Sequence, residues 1–406
     1  MEKIELLAPA GDMEKLKTAL HFGADAVYFA GKKYGLRAFG TNFETTSLKD
    51  VVSYVHSFGK KAYVTINIYA RNNDFDGLAE YLKELEDAKV DAVLVSDMGI
   101  LHFIKEHSPK LNIHISTQAN TTNKYAVEAY YKMGASRVVL ARELNLDEIK
   151  TIHQYMPNIE LEAFVHGAMC ISYSGRCLLS NYLTGRDSNH GECVQACRWK
   201  YFVTEENRPD EHLEIKEDDR GTYIFNSKDM CLIEHLDKVY DAGVTSFKVE
   251  GRMKSPYYVA TVINAYRRAI DYLYECKNNN KPYVVPAQLL AELNKASHRQ
   301  YTTGFMVNNG SIKQNLVSAS QEQESKFMAI VLEVKNDKIL VEQRNKFSVQ
   351  DKLEILSPNL PVNTSFKVEK IEDLNGQEIN EAKAVQQKVW LYGAPANILA
   401  GDILRK

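Results

Sequence analysis

HFGADAVYF (residues 21–29), DAKVDAVLV (87–95), KMGASRVVL (132–140) and DAGVTSFKV (241–249) are four copies of one pattern. Each leaves a helical stretch, turns, usually at a glycine, and enters an apolar run. Glycine suits the left-handed residue that ends a helix. Val-rich runs suit strands buried on both faces. Between the copies lie amphipathic stretches such as LAEYLKELEDA (78–88) and YAVEAYYKM (125–133), apolar at helical spacing. Strands are predicted at 4–9, 26–30, 61–67, 92–97, 112–117, 137–142, 161–167 and 246–251. Eight strands alternating with helices within about 280 residues predict a (β/α)8 barrel of TIM type. An open doubly wound sheet is the other arrangement that this alternation allows, because a strand count does not state closure.

The seventh unit is interrupted. About 60 residues separate its strand from the helical pattern MCLIEHLDKVYDAG (230–243), where such a loop usually has 2–6. A cysteine-rich insertion is therefore expected at about 168–225, and its second half, 200–226, reads as a polar-tipped hairpin. A long loop at the carboxyl end of a barrel strand is where this architecture places its chemistry. The barrel is expected over 1–280, followed by a linker at 281–321 that holds a short helix (AQLLAELNKAS, 287–297). From 322 to 406, period-two alternation in MAIVLEVKNDKILVEQ, DKLEILSP and KVWLYG predicts a small β-barrel domain.

Composition narrows the function. The chain is 45% hydrophobic and 25% charged, with a formal net charge of −3, so no global basic field advertises nucleic acid. The start, MEKIELLAPAGD, is too acidic and too briefly apolar for a signal peptide, and no run approaches a membrane span. Six cysteines in 406 residues suit a reducing cytoplasm rather than a disulfide scaffold.

Four of the six are Cys170, Cys177, Cys193 and Cys197, spaced C-x6-C-x15-C-x3-C. Small buried thiols would account for Cys276 and Cys231, but fit four cysteines in one polar loop poorly. Structural zinc favours C-x2-4-C knuckles, whereas iron–sulfur clusters accept wider spacing, so iron–sulfur leads and zinc stays open. Cys231 is the alternative for one of the four ligands.

The segment EAFVHGAMCISYSGRCLLS (162–180) resembles the signature of the collagenase-like peptidase family U32. The resemblance extends through ELLAPAGDMEKLKTAL, ISTQAN, GECVQACRW, FKVEGRMKSP and YTTGF into the β-domain. It implies a (β/α)8 barrel that holds a 4Fe-4S cluster through Cys170, Cys177, Cys193 and Cys197. In some relatives the fourth ligand comes from further along the chain, which retains Cys231. The family's name implies a peptidase, yet the chain shows no H-E-x-x-H, no G-x-S-x-G and no cysteine beside an evident histidine base. GRDSNHGEC, CRWKY and VEGRMKS resemble the tRNA hydroxylation branch of the family. That branch implies tRNA as partner, 5-hydroxyuridine at the wobble position as product, prephenate as co-substrate, and pairing with a paralogous subunit or a second copy.

Barrel geometry names further candidates, since polar residues at strand ends converge on the mouth. Asn67, Gln118, Arg142, His166, Glu250 and Arg252 occupy such positions, with Lys248 just before. Gln118, His166 and Glu250 are the expected catalytic groups. Asn67, Arg142, Lys248 and Arg252 are the expected substrate-binding groups, because a guanidinium fork suits a dicarboxylate such as prephenate. His166, four residues before Cys170, is placed to donate to the cluster or move a proton. Tyr173, Tyr182, Trp199 and Tyr201 alternate with Arg176, Arg186, Arg198 and Lys200, a mixture that suits RNA contact. The same aromatics packed inward over the cluster are the plainer alternative.

Overall fold

The computed structural model describes residues 3–31, 34–35, 43, 48–170, 172–199, 217–218, 221–222, 228–307 and 323–406. The repeat behaves as its chemistry dictates. Gly23, Gly134 and Gly243 adopt φ of 99°, 89° and 100°, and the second copy places Lys89 in the same left-handed region at 59°. Each then enters a buried strand, as in Ala26–Phe29 and Ala92–Val95, where every residue is buried.

Eight parallel strands result: β1 (Glu5–Pro9), β2 (Ala26–Phe29), β3 (Lys61–Ile66), β4 (Ala92–Val95), β5 (Ile113–Ile115), β6 (Ala135–Val139), β7 (Glu160–Ala168) and β8 (Val244–Val249). They pair in sequence order, and β8 pairs with both β7 and β1, Lys248 opposite Phe164 and Ser246 opposite Glu5. The barrel is closed, which excludes the open sheet.

The stretch predicted as a helix from Met230 differs at its start. Asp229–Cys231 is a strand antiparallel to β7, with Cys231 opposite His166, and the helix spans only Leu236–Asp241. Two tertiary contacts override the local pattern: Leu232 N–H donates to the Val165 carbonyl at 2.9 Å, and the buried Arg299 guanidinium donates to the Asp229 carboxylate at 2.7 Å. Of the hairpin predicted at 200–226, only the antiparallel pair Glu217–Asp218 and Gly221–Thr222 lies within the described residues.

The barrel interior is not purely aliphatic. Arg137 on β6, 3% exposed, donates to Glu5 at 2.5 Å, Glu162 at 3.0 Å and Ser246 at 3.2 Å. Lys248 donates to the other oxygen of Glu162 at 2.7 Å, and Tyr63 to Glu5 at 2.7 Å. Burial alone would raise the Glu5 carboxyl, but Arg137, Tyr63 and Ser246 hold it below its ordinary value. Burial also pushes the Lys248 ammonium down, and Glu162 opposes that shift.

The chain forms two compact units, one with residues 1–13, 25–253 and 298–321, the other with 14–24, 254–297 and 322–406. The second contains the long helix Pro256–Asn278 and an eight-stranded antiparallel sheet. The edge strand Ser365–Lys367 runs directly on into Lys370–Glu372, and Val368 between them bonds to the backbone of Gln350 and Asp351. The sheet thereby curls round one core that includes Val331, Val341, Leu353, Ile371 and Leu391. Buried Arg405 ties it to the helix Ala287–Asn294 through Glu292 at 2.7 Å. Among the described residues no helix is long and apolar enough to cross a membrane.

Candidate active site

At the carboxyl ends of the barrel strands lies a cavity of about 170 Å³. Asn67, Gln118, Arg142, Lys248, Glu250 and Arg252 line it together with Cys170, Cys177, Cys193 and Cys197. Ten of the eleven residues expected at the site thus share one space. His166 is the exception. It lies inside β7 rather than at its end, is 1% exposed, and its ring sits 5.5 Å from that of Tyr301. Cys231, opposite it, does not line the cavity either.

The polar groups are held in place by one another. Arg142 lies with its guanidinium 4.0 Å from the Phe164 ring centroid and 3.3 Å from Glu250. Lys248 points between Tyr28 and Phe164, with Glu162 as its partner. Two of the expected cations, Arg142 and Lys248, are thus already matched to carboxylates. An incoming acid would exchange one carboxylate for another rather than meet bare charge. Arg252, 5% exposed, reaches Thr65 at 3.4 Å. Gln118 is engaged at its oxygen alone: Asn67 donates to Oε1 at 3.1 Å and Ser116 at 2.6 Å. Its Nε2 donates to no other side chain or backbone carbonyl among the described residues, which leaves two N–H groups for a bound molecule.

The cysteine segment is pinned at several points. Between Cys170 and Cys177, buried Ser174 sits at φ 41° and ψ 35°, and both its N–H and its hydroxyl donate to Glu143, at 2.6 and 2.5 Å. Its Oγ accepts from Arg142 N–H at 3.1 Å, fastening the turn to the end of β6. Cys177 is gripped on both sides of its backbone: its N–H donates to Asn189 Oδ1 at 3.2 Å, and its carbonyl accepts from Asn189 Nδ2 at 2.9 Å and Ser188 Oγ at 2.5 Å. Asn189 is itself held by Tyr69 N–H at 3.1 Å. Backbone N–H groups of Leu179 and Gln195 point at the sulfurs of Cys177 and Cys193, at 3.3 and 3.4 Å. Asn189→Ala should therefore loosen Cys177. Its alkylation rate in metal-free protein is expected to rise several-fold with the melting temperature nearly unchanged, and an unaltered rate would refute the clamp.

Four cysteines in one cavity are the donor set that iron–sulfur groups take. One tetrahedral zinc would draw its sulfurs to about 3.8 Å of each other. Among the described residues, no three His, Cys, Asp or Glu converge as a single ion requires.

Gly167 shapes the floor. Its φ is 109°, and a Cβ there would lie 2.5 Å from the Glu250 carbonyl oxygen. The neighbouring His166 carbonyl accepts from Glu250 N–H at 2.8 Å, so the close approach fixes where Glu250 leaves β8. Gly167→Ala is expected to cost about 1–3 kcal/mol in chemical denaturation, from strain at a positive φ. A wild-type midpoint would show that β8 simply moves aside.

The sequence profile of Peptidase family U32 matches residues 11–315, and that of the Peptidase family U32 C-terminal domain matches residues 323–405. The chain belongs to peptidase family U32. A U32 relative from Bacillus subtilis, tRNA hydroxylation protein P1, is 39% identical over 409 residues, covering 100% of this chain and 95% of its own. tRNA hydroxylation protein P of Escherichia coli is 36% identical, covering 96% of this chain and 94% of its own. A collagenase from Porphyromonas gingivalis is 35% identical over 66% of this chain and 65% of its own.

Among the described residues of this U32 chain, no histidine lines the cavity. His190, the nearest in sequence to Cys193, faces Asp74 at 3.2 Å. A serine or cysteine nucleophile would need such a base within hydrogen-bond reach. Sequence reasoning did not find Glu143, Ser174, Ser188 and Asn189, which act by backbone contacts across 11 to 31 residues. GRDSNHGEC marked the right stretch, but only tertiary pairing shows which atom of Asn189 meets which atom of Cys177.

Proposed function

We propose that this chain hydroxylates the wobble uridine of tRNA to 5-hydroxyuridine, with prephenate as co-substrate and a 4Fe-4S cluster held by Cys170, Cys177, Cys193 and Cys197. The observation that carries the reading is one cavity that gathers four cysteines, two arginines, a lysine and three carboxamides, with no histidine among the described lining residues. The names of the relatives from Bacillus subtilis and Escherichia coli support RNA hydroxylation as the reaction class.

When bound, the cluster would supply electron transfer or Lewis acidity at the mouth. The chain's own residues do the rest. Arg142 and Arg252 would take the carboxylates of the small acid, with Arg142 held over the Phe164 ring. Gln118 Nε2 would donate to a uracil carbonyl, since its oxygen is committed to Asn67 and Ser116. Glu250, beside Arg142, is the group placed to accept the proton that C5 loses. His166 takes no direct part in this reading, because its ring lies outside the cavity lining.

The peptidase alternative keeps the support of the family's name and of the collagenase relative. The lack of a histidine among the described lining residues argues against it. Mass spectrometry of tRNA nucleosides from a strain lacking this chain tests the proposal. Loss of 5-hydroxyuridine derivatives, restored by the wild-type chain, is expected. Unchanged derivatives where no paralogue stands in would refute it, and gelatin hydrolysis that survives Cys→Ala changes would favour the peptidase.

A further inference from the structure

The cysteine segment turns one side to the cavity and the other to solvent. Ser174, Gly175, Cys177, Leu179, Ser180, Cys193 and Cys197 line the cavity. Within two residues of them, Tyr173 is 51% exposed, Leu178 73%, Tyr182 87% and Trp199 43%. The helix Leu179–Thr184 shows the division: Leu179 and Ser180 face the cavity, while Tyr182 and Leu183 face outward. These rings are not packed over the cysteines, so the plainer alternative for the aromatics does not apply to Tyr173, Tyr182 and Trp199. Tyr201 and Lys200 lie outside the described residues.

The segment is also stiff. Glu143 holds Ser174, Asn189 holds Cys177, and Asn120 donates to the Tyr173 carbonyl at 2.8 Å. Exposed apolar rings on a stiff support mark a binding surface rather than a loose loop. Arg176 and Arg186 are exposed among them, and Arg71, with a side chain 75% exposed, meets Asp187 at 3.4 Å. Asp187 and Glu192 are the only acids of the segment 170–199, and Asp187 is also occupied by Asn189 N–H at 2.8 Å.

We infer that this rim is the docking surface for a single-stranded RNA loop, with Tyr182 and Trp199 stacking on the bases that flank the one entering the cavity. Aromatic faces take unpaired bases of any sequence, and guanidinium groups between them take the phosphates. A base must leave its stack before it reaches a recessed site, so its neighbours need a surface to rest on. The inference rests on the RNA reading above.

The test uses the full chain with Trp390→Phe, which leaves Trp199 as the sole indole of two. Titration with an anticodon stem-loop is expected to quench Trp199 saturably. Tyr182→Ala in that background should weaken binding about ten-fold, the scale of one lost base stack, with iron per chain unchanged. No quench at saturating RNA, or equal affinity of the Tyr182→Ala protein, overturns the proposal. So does a Trp199 signal that depends on protein concentration without RNA, since the rim would then bind a second copy. If the stem-loop quenches Trp199 but cellular tRNA is unmodified, the docking surface stands and the hydroxylation reading falls. If tRNA is modified and Trp199 stays silent, the reverse holds.

Discussion

Cys177→Ala is expected to abolish tRNA hydroxylation and to strip iron and acid-labile sulfide from the anaerobically prepared protein, while Cys231→Ala leaves both near wild type. Cys177 lines the cavity and is held at its N–H, its carbonyl and its sulfur. A thiolate so fixed contributes both a ligand and the geometry of its neighbours, and a methyl group replaces neither. Cys231 sits on the strand opposite His166, away from the cavity lining. The spacing in the sequence left open which of these cysteines belongs to the set. The comparison decides it: iron lost in Cys231→Ala but kept in Cys197→Ala would exchange the two. Full iron content in Cys177→Ala would remove the four-cysteine reading altogether.

Arg137→Met should cost about 3–5 kcal/mol in urea unfolding, the usual penalty for removing one partner of a buried ion pair. The guanidinium holds Glu5, Glu162 and, at the rim, Glu160 at 2.7 Å, and lies 5.4 Å from the Tyr63 ring centroid. Without it Glu5 and Glu162 keep Lys248, Ser246, Tyr63 and, at 3.9 Å from Glu5, the Lys61 ammonium. Adding Glu5→Gln to Arg137→Met is expected to recover part of the loss, because one uncompensated carboxylate disappears. The pH dependence has a definite sign. In the wild-type protein the Glu5 carboxyl is held below its ordinary value, so its contribution is present above the glutamate range and is lost as pH falls through the folded value. In Arg137→Met, burial acts without the guanidinium and raises that carboxyl, so acid favours the folded variant. The two stability curves should converge toward low pH. Parallel curves would show that the network is not what Arg137 stabilises.

The two predictions separate what was legible from what was not. The left-handed exits at Gly23, Gly134 and Gly243 and the strands after them follow from residue chemistry alone, and even Lys89 obeys the repeat without a glycine. Strand-end polarity marked Asn67, Gln118, Arg142, Glu250 and Arg252, because side chains at the carboxyl ends of a parallel barrel must face its mouth. His166 broke that rule for a local reason: β7 runs on to Ala168 to pair with Asp229–Cys231, so its true end lies two residues later. Arg137, Glu5 and Glu162 fall inside the predicted strands and carried no functional reading in the sequence. Nothing in their spacing shows that they meet across the barrel.

Alternation of strand and helix, the number of strands, the cysteine spacing and the family were determined by the sequence itself, since each depends on residues near one another or on a contiguous motif. Closure of the barrel, the ionic network inside it, the matching of Arg142 to Glu250 and the grip of Asn189 on Cys177 were decided only by the tertiary structure. Each of these joins atoms that the chain order leaves far apart. Their strength comes from distances and desolvation that exist only once the strands have closed.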